Sequence, residues 1–369
     1  MIKNNPLNDI IECDIDISNP SSNNVAFENI LIIVPGPQGS GKKKMEKVTA
    51  ISKADELLDY GFVVSETAYI AASVAFSQNP SPSKIFVCIR KTDSELPDTG
   101  TYEDIKKTLA RANDEAEFYG VHLTEFKTTN DIAAAADWTE AQEKLLCFEY
   151  ADVENCPLKN TQYFRTFGMY SGHAEGYKTE EQPKENAFAA LAEMAKCFCY
   201  EPGTETWHLK ELTTIVPSAI GAEEKKILNE KHINSFRRYC GSNVTFGGKV
   251  LSGEWIDVIR FRDWLKAEIQ ENVFKAMKGN RKVPFTDNGI GLIEGAMKKA
   301  LQKGQDIGGI APTEYDEDLN AIPGYTVYVP AASSLSEAER KSRKLTGCKW
   351  SARLSGAIHA TEISGNLTF

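Results

Sequence analysis

Gly36 to Lys42, GPQGSGK, has the G-x-x-x-x-G-K spacing with which a phosphate-binding loop holds a nucleotide. It follows an apolar run, Ile30 to Val34, of the kind that forms a buried strand. The chemistry is incomplete. Position 43 is Lys, where the hydroxyl that holds the magnesium ion belongs. Pro37 removes one backbone N–H from the cradle. The next segment, Lys47 to Ser52, is rich in β-branched residues and does not open a helix. Glu149, after the apolar "LLCF", is a candidate acidic partner for a bound cation. The stretch reads best as an exposed basic loop between two strands. A P-loop-like nucleotide-binding protein using Gly36–Lys42 remains the alternative.

No other group of residues completes a catalytic set. There is no G-x-S-x-G elbow. His122, His173, His208, His232 and His359 are scattered without metal-ligand spacing. The eight cysteines include a C-x-C pair at Cys197 and Cys199 but no C-x-x-C, so they read as free and mostly buried thiols. No catalytic, cofactor-binding or metal-binding residue is assigned, and the chain is not read as an enzyme. The 369 residues carry a net charge of −10, which disfavours a sequence-independent nucleic-acid binder and predicts no direct nucleic-acid partner. Nothing approaches the roughly 20 apolar residues of a membrane span, so no membrane insertion is expected. The opening MIKNNPLNDII lacks a signal-peptide core, which implies synthesis in the cytoplasm.

The elements that surround the loop alternate between strand and helix. Strands are predicted over Phe27–Val34, Val48–Ile51, Lys84–Lys91, Val121–Phe126 and Leu145–Tyr150, with another within TQYFRTFGMYSG. Helices are predicted over Lys53–Tyr60, Ser65–Gln78, Tyr102–Tyr119, Asn130–Lys144 and Glu185–Cys199. The last third differs in texture. TWHLKELT reads as a strand, GAEEKKILNEKHINSFRRYC as a helix, and NVTFGGKVLSGEWIDVIRF as a hairpin or two strands. Asp263–Met277 and a segment from Thr286 or Asp287 to Gly304 read as helices, and GYTVYVPA and the end of the chain as strands. Trp255, Trp264 and Trp350 read as core residues or interface anchors.

Three stretches, in this order and spacing, resemble the tail sheath proteins of contractile phage tails and related injection particles. They are VTAISKADELLDYG with ETAYIAASVAFSQNPSPSKIFVCIR, then TWHLKELTTIVPSAIGAEEKKILNEKHINSFRRY with GEWIDVIRFRDWLKAEIQENVF, then VPFTDNGIGLIEGAMKKALQKG with the terminal strands. The resemblance implies a mixed α/β fold with a discontinuous sheath core domain over residues 27–98 plus 205–357. An α/β domain, 99–204, is inserted in it, and terminal β-arms extend from it, 1–26 and 358–369. It implies a homo-oligomer of stacked rings or a helix around a tail tube protein, with baseplate and tail terminator proteins as further partners. Such a particle is assembled in the cytoplasm of a bacterial host and becomes part of a virion tail. The resemblance also places the glycine-rich stretch in a β-hairpin-like loop and implies no nucleotide cycle. A non-contractile tail component, such as a tube protein, is the other structural reading.

The chain ends carry the matching pattern. Ile11, Cys13, Ile15 and Ile17 form one apolar row, with Glu12, Asp14, Asp16 and Ser18 on the other side, tethered by NPSSNN. Ile363, Leu367 and Phe369 fall at even spacing at the other end. The N-terminal strand could pair within its own domain. The resemblance implies instead that both terminal strands swap into sheets of neighbouring subunits.

Overall fold

The computed structural model describes residues 26–366 except 93–101, 154–155, 157, 159–161 and 179–180. The chain divides into two compact units, Met1–Ala267 and Glu268–Phe369.

The first unit is built on one eight-stranded sheet. Its strands are β1 (Ile30–Val34), β2 (Thr49–Ile51), β3 (Ile85–Ile89), β4 (Gly120–Leu123), β5 (Leu145–Tyr150), β6 (Thr166–Tyr170), β7 (Asn234–Tyr239) and β8 (Ser242–Phe246), in the spatial order β2-β3-β1-β4-β5-β6-β7-β8. Strands β3 to β7 in that order run parallel; β2 and β8 close the edges antiparallel. A parallel sheet is covered on both faces, which explains the unbroken apolar run of β1, every residue of it buried. Leu31 and Ile33 face a core shared with helices α2 (Ile105–Glu115) and α3 (Thr129–Gln142). On the other face the helices are α1 (Thr67–Phe76) and α4 (Ala189–Cys197), which pack against each other. The cap of α2 is Asp104, whose carboxylate accepts the Lys106 N–H at 2.7 Å, and that of α3 is Thr128.

This sheet runs across both inner boundaries of the discontinuous plan expected from the sequence. β4 pairs with β1 across the expected boundary at residues 98 and 99, and β6 pairs with β7 across that at 204 and 205. A strand as apolar as β1 needs parallel neighbours on both edges, and β4 is one of them. Three local readings also change. TWHLKELT forms no regular strand: Leu209 sits at φ 57°, and the segment meets β8 through bonds that join Trp207, Leu209 and Lys210 to Thr245 and through the His208 ring on Phe246. The helix read over GAEEKKILNEKHINSFRRYC covers only α5 (Ala222–Glu230); it stops before His232, at φ 53°, and the chain continues as β7. The segment GEWIDVIRF is not a strand. It enters α6 (Ile256–Gly279), where Ile256, Ile259, Arg260, Asp263 and Trp264 are buried at helical spacing.

Buried charges tie these layers together. Asp263 receives Arg165 through two bonds of 2.5 and 2.9 Å, Arg262 at 3.0 Å and the Tyr119 hydroxyl at 2.8 Å. Burial alone would raise the pKa of this carboxyl, but the two guanidiniums hold it below the usual range. Glu149 is anchored similarly. It meets His122 and Lys127, each at 2.9 Å, and accepts the N–H groups of Ala190 and Leu191 at the start of α4. Burial opposes its charge, yet these partners keep its pKa at about 2. Removing one partner of such a buried pair costs about 3–5 kcal/mol. Asp263→Ala is therefore expected to lower the unfolding free energy by about that amount, measured by urea denaturation.

Glu193 on α4 is the opposite case. It is fully buried and neither carboxyl oxygen has a hydrogen-bond partner. The neighbouring Thr245 hydroxyl donates instead to the Trp207 carbonyl at 2.8 Å. Burial raises the Glu193 pKa to about 8. A folded-state pKa above the unfolded value means the folded protein holds the extra proton between about pH 4.5 and 8. Its contribution is fully present below about pH 4.5 and falls by about 1.4 kcal/mol per pH unit until about pH 8. Glu193→Gln is expected to remove that slope, so that its melting temperature rises relative to the unsubstituted protein as pH moves from 5 to 8.

Candidate inter-subunit interface

Two small sheets stand outside the large one, both in the second unit. β9 (Glu314–Tyr315) pairs with β10 (Ala321–Ile322), and β11 (Tyr325–Tyr328) pairs with β12 (Lys349–Ala352), each antiparallel. The first hairpin turns at Asp316, whose carboxylate accepts the N–H groups of Asp318 and Asn320. The second pair is the more informative. In its register Tyr325 faces Ala352, Thr326 faces Ser351, Val327 faces Trp350 and Tyr328 faces Lys349. Tyr325, Val327, Trp350 and Ala352 are half-buried on one side; Thr326, Tyr328, Lys349 and Ser351 are exposed on the other. Each strand has one partner among the described residues, so each keeps a free edge.

Helix α7 (Asp287–Asp306) supports this pair. It starts at the Thr286 hydroxyl, which accepts the Gly289 N–H, and buries Ile290, Met297, Ala300 and Leu301. Gln302 on α7 accepts the Tyr325 hydroxyl at 2.9 Å. Asp287 accepts the Ala332 N–H at 2.7 Å, and α8 (Glu337–Ser342) begins in a capping box of Ser336 and Glu339. Beyond β12 the chain still pairs with residues 309–311: Ala311 N–H donates to Arg353 O at 2.7 Å and Ser355 N–H to Gly309 O at 3.1 Å. Gly324 lies against this junction, where an added Cβ would sit 1.9 Å from the Ala311 carbonyl oxygen.

Of the terminal residues singled out by pattern, Ile11, Cys13, Ile15, Ile17, Leu367 and Phe369 lie outside the described residues. Ile363 is described: it belongs to no strand and is 89% exposed, as Ile358 is at 90%. Sequence reasoning missed β11 and β12 as a pair with open edges; the alternation of YTVY and KWSA was visible, but not that they meet.

The glycine-rich loop has a structural explanation. It joins β1 to β2 at the point where the strand order reverses, the usual place for a ligand in such a sheet. Since β2 pairs with β3 and not with β1, the loop is not the hairpin that was expected. No helix follows it at once. Three of its backbone N–H groups are already engaged: Gly39 with Gly61 O at 3.0 Å, Lys43 with Asp59 O at 2.9 Å and Gln38 with Glu66 at 2.9 Å. A Cβ at Gly41 would sit 2.3 Å from the Tyr60 carbonyl carbon. Glycine at position 41 permits this close approach to the Gly61 turn. Lys42 and Lys43 both face Asp59, at 3.6 and 3.5 Å. Glu149 is occupied in anchoring α4.

Residues 256–367 match the model of the E217 tail sheath protein gp31-like C-terminal domain. The C-terminal third is thus similar to a tail sheath domain. The fold of the whole chain agrees. A chain of the anti-feeding prophage baseplate superposes with a TM-score of 0.65 at 15% identity, over 96% of this chain and 99% of that one. A chain of the PVC sheath complex, an extracellular contractile injection system in the contracted state, gives 0.63 at 10% identity, over 96% of each. A sheath tail protein from Desulfitobacterium hafniense gives 0.50 at 9% identity, over 84% of this chain and 92% of that one. No curated protein matches the sequence itself. The matched residues include both small sheets. Among them, Gly324→Ala is expected to force the Ala311 carbonyl aside at a cost of about 1–3 kcal/mol. Thermal unfolding would show the loss, and mapping by hydrogen exchange should confine it to the β11–β12 junction.

Proposed function

We infer that this chain is the structural subunit of a contractile sheath that polymerises around a tail tube and, on release, contracts to drive the tube through a cell envelope. The energy is stored at assembly and no nucleotide is hydrolysed. A tube protein, a baseplate and a tail terminator are its partners, and the particle is built in the cytoplasm of a bacterial host. The observation that carries this reading is the β11–β12 sheet. A two-stranded unit is marginal alone in water, and open edges of this kind are hazards unless something pairs with them. The terminal segments have the composition to do so. The apolar row at Ile11, Cys13, Ile15 and Ile17, and that at Ile363, Leu367 and Phe369, each supply alternating side chains to a strand added at an edge. Backbone hydrogen bonds then give affinity and the alternation gives register. Full burial of one such apolar side chain is worth about 1.5–3 kcal/mol before entropy costs.

Electron microscopy of the purified protein tests the reading: the full chain is expected to form tubes without its partners. Variants lacking residues 1–18 or 358–369 are expected to stay folded and soluble but to form no tubes. Long tubes from either shortened chain at the same concentration would remove that terminus from the mechanism.

A further inference from the structure

The outermost hairpin of the large sheet, β7–β8, carries a cation without a counter-charge. Arg237 and Tyr239 alternate along one side of β7, which they share with Phe246 of β8. The Arg237 guanidinium lies over the Phe246 ring at 4.2 Å, and the rings of Tyr239 and His208 flank that ring at 5.3 and 5.0 Å. Arg237 is half-buried, its Nε is buried with no hydrogen-bond partner, and no carboxylate pairs with it among the described residues. Burial pushes its pKa down, with only Tyr239 acting against that. Arg238, on the opposite side of the strand, does meet an acid, Glu175, at 3.8 Å. Tyr239 and Leu209, beside the cluster, are exposed. Arginine and tyrosine around a ring at the surface are the composition of an interface hot spot, and a partly dehydrated guanidinium gains most from a carboxylate. The turn of the β9–β10 hairpin has the inverse character. Asp316 is occupied in holding the turn, but Glu317 and Asp318 are exposed and their carboxylates pair with nothing among the described residues. Tyr315 and Leu319, which flank these acids, are exposed as well.

We propose that the Glu317–Asp318 turn of a second copy docks on the Arg237–Phe246 cluster, where a carboxylate of the turn takes the guanidinium and Tyr315 and Leu319 cover the exposed Tyr239 and Leu209. The proposal rests on the reading that copies of this chain assemble, and it adds one side-chain contact between them. Charge selects the partner: the cluster offers a cation with no acid of its own, and the turn offers two acids with no base. Shape of the chemistry agrees, since each charge stands beside large apolar groups that are exposed. The two patches are different surfaces of one chain, so the contact is heterologous and can repeat from copy to copy. Closing it would finish the dehydration of Arg237 at the moment its counter-charge arrives, which is the condition under which an interfacial ion pair adds affinity. Because the acids are exposed before docking, association is sensitive to salt.

The test uses the full-length protein and reads the critical concentration for assembly by sedimentation, with electron microscopy of the product, at low and high salt. Arg237→Glu, and separately Glu317→Lys with Asp318→Lys, are each expected to raise that concentration about tenfold at low salt and less at high salt. All three changes together are expected to recover most of the loss. Glu317 and Asp318 are exposed, so the melting temperature of their variant should match that of the unsubstituted protein. If Arg237→Glu does not fold, Arg237→Gln takes its place in a cycle with Glu317→Gln and Asp318→Asn. Losses within one shared contact do not add, so that combined variant is expected to be no worse than the worse of its two parents. Three results overturn the contact: reversals that leave the concentration within about twofold, a combined reversal no better than the worse single one, or neutral substitutions whose losses add. Failure of the unsubstituted protein to assemble at any salt concentration overturns the sheath reading and this contact with it. Assembly indifferent to these charges overturns the contact alone.

Discussion

Asp263 holds the first unit in its fold. A carboxylate with no exposure to water is costly unless every lone pair finds a donor. Here Arg165 comes from the start of β6, Tyr119 from just before β4 and Arg262 from the same helix as the acid. The arrangement fixes the angle at which α6 leaves the sheet, because a two-pronged guanidinium contact tolerates little displacement. Next to it Arg260 meets Glu205 and the carbonyls of Phe27, Cys197 and Tyr200, and stacks over Phe198 at 4.7 Å. Five basic or acidic side chains thus sit where an ordinary core would place leucine. Hydrophobic residues could pack that space, but they would not set one direction for the helix.

The second unit is economical in a different sense. Its β11–β12 pair has backbone groups to offer on both outer edges and an alternation of half-buried and exposed residues ready for further strands. A protein that worked as a monomer would cover such edges with a helix, a bulge or a proline. No further strand pairs with β12 among the described residues; the strand carries lysine and the preceding segment carries more positive charge.

Much of the first unit could be read from the sequence because its signals are local. The runs at Ile30–Val34, Ile85–Ile89 and Leu145–Tyr150 are apolar without interruption, and only a buried parallel strand needs that. The sequence also showed lysine at position 43, where a phosphate-binding loop carries a hydroxyl. What could not be read is set by contacts distant in sequence. Trp207 lies in a stretch rich in β-formers, yet it is fully buried against Phe167 and Phe198 while its neighbours follow no regular strand. The β-branched residues of Ile256–Ile259 favour a strand locally, and only the buried face shared with Arg260 and Asp263 makes them helical. The extent of the sheet was hidden for the same reason: nothing within residues 99–204 says that β4 belongs beside β1. At the interface, the apolar rows were legible in the terminal segments, but the small sheet was not, since its two strands are separated by α8 and the loops around it.

The division between the two units falls inside α6, which is continuous over 24 residues from Ile256 to Gly279. At 1.5 Å per residue that is a rod about 36 Å long. Its first turns are pinned by Arg260, Arg262 and Asp263; its later turns belong to the unit that carries the open edges. A loop absorbs strain by changing its backbone angles, whereas a hydrogen-bonded helix resists it. In mechanical language, the chain crosses from one unit into the other within a stiff element.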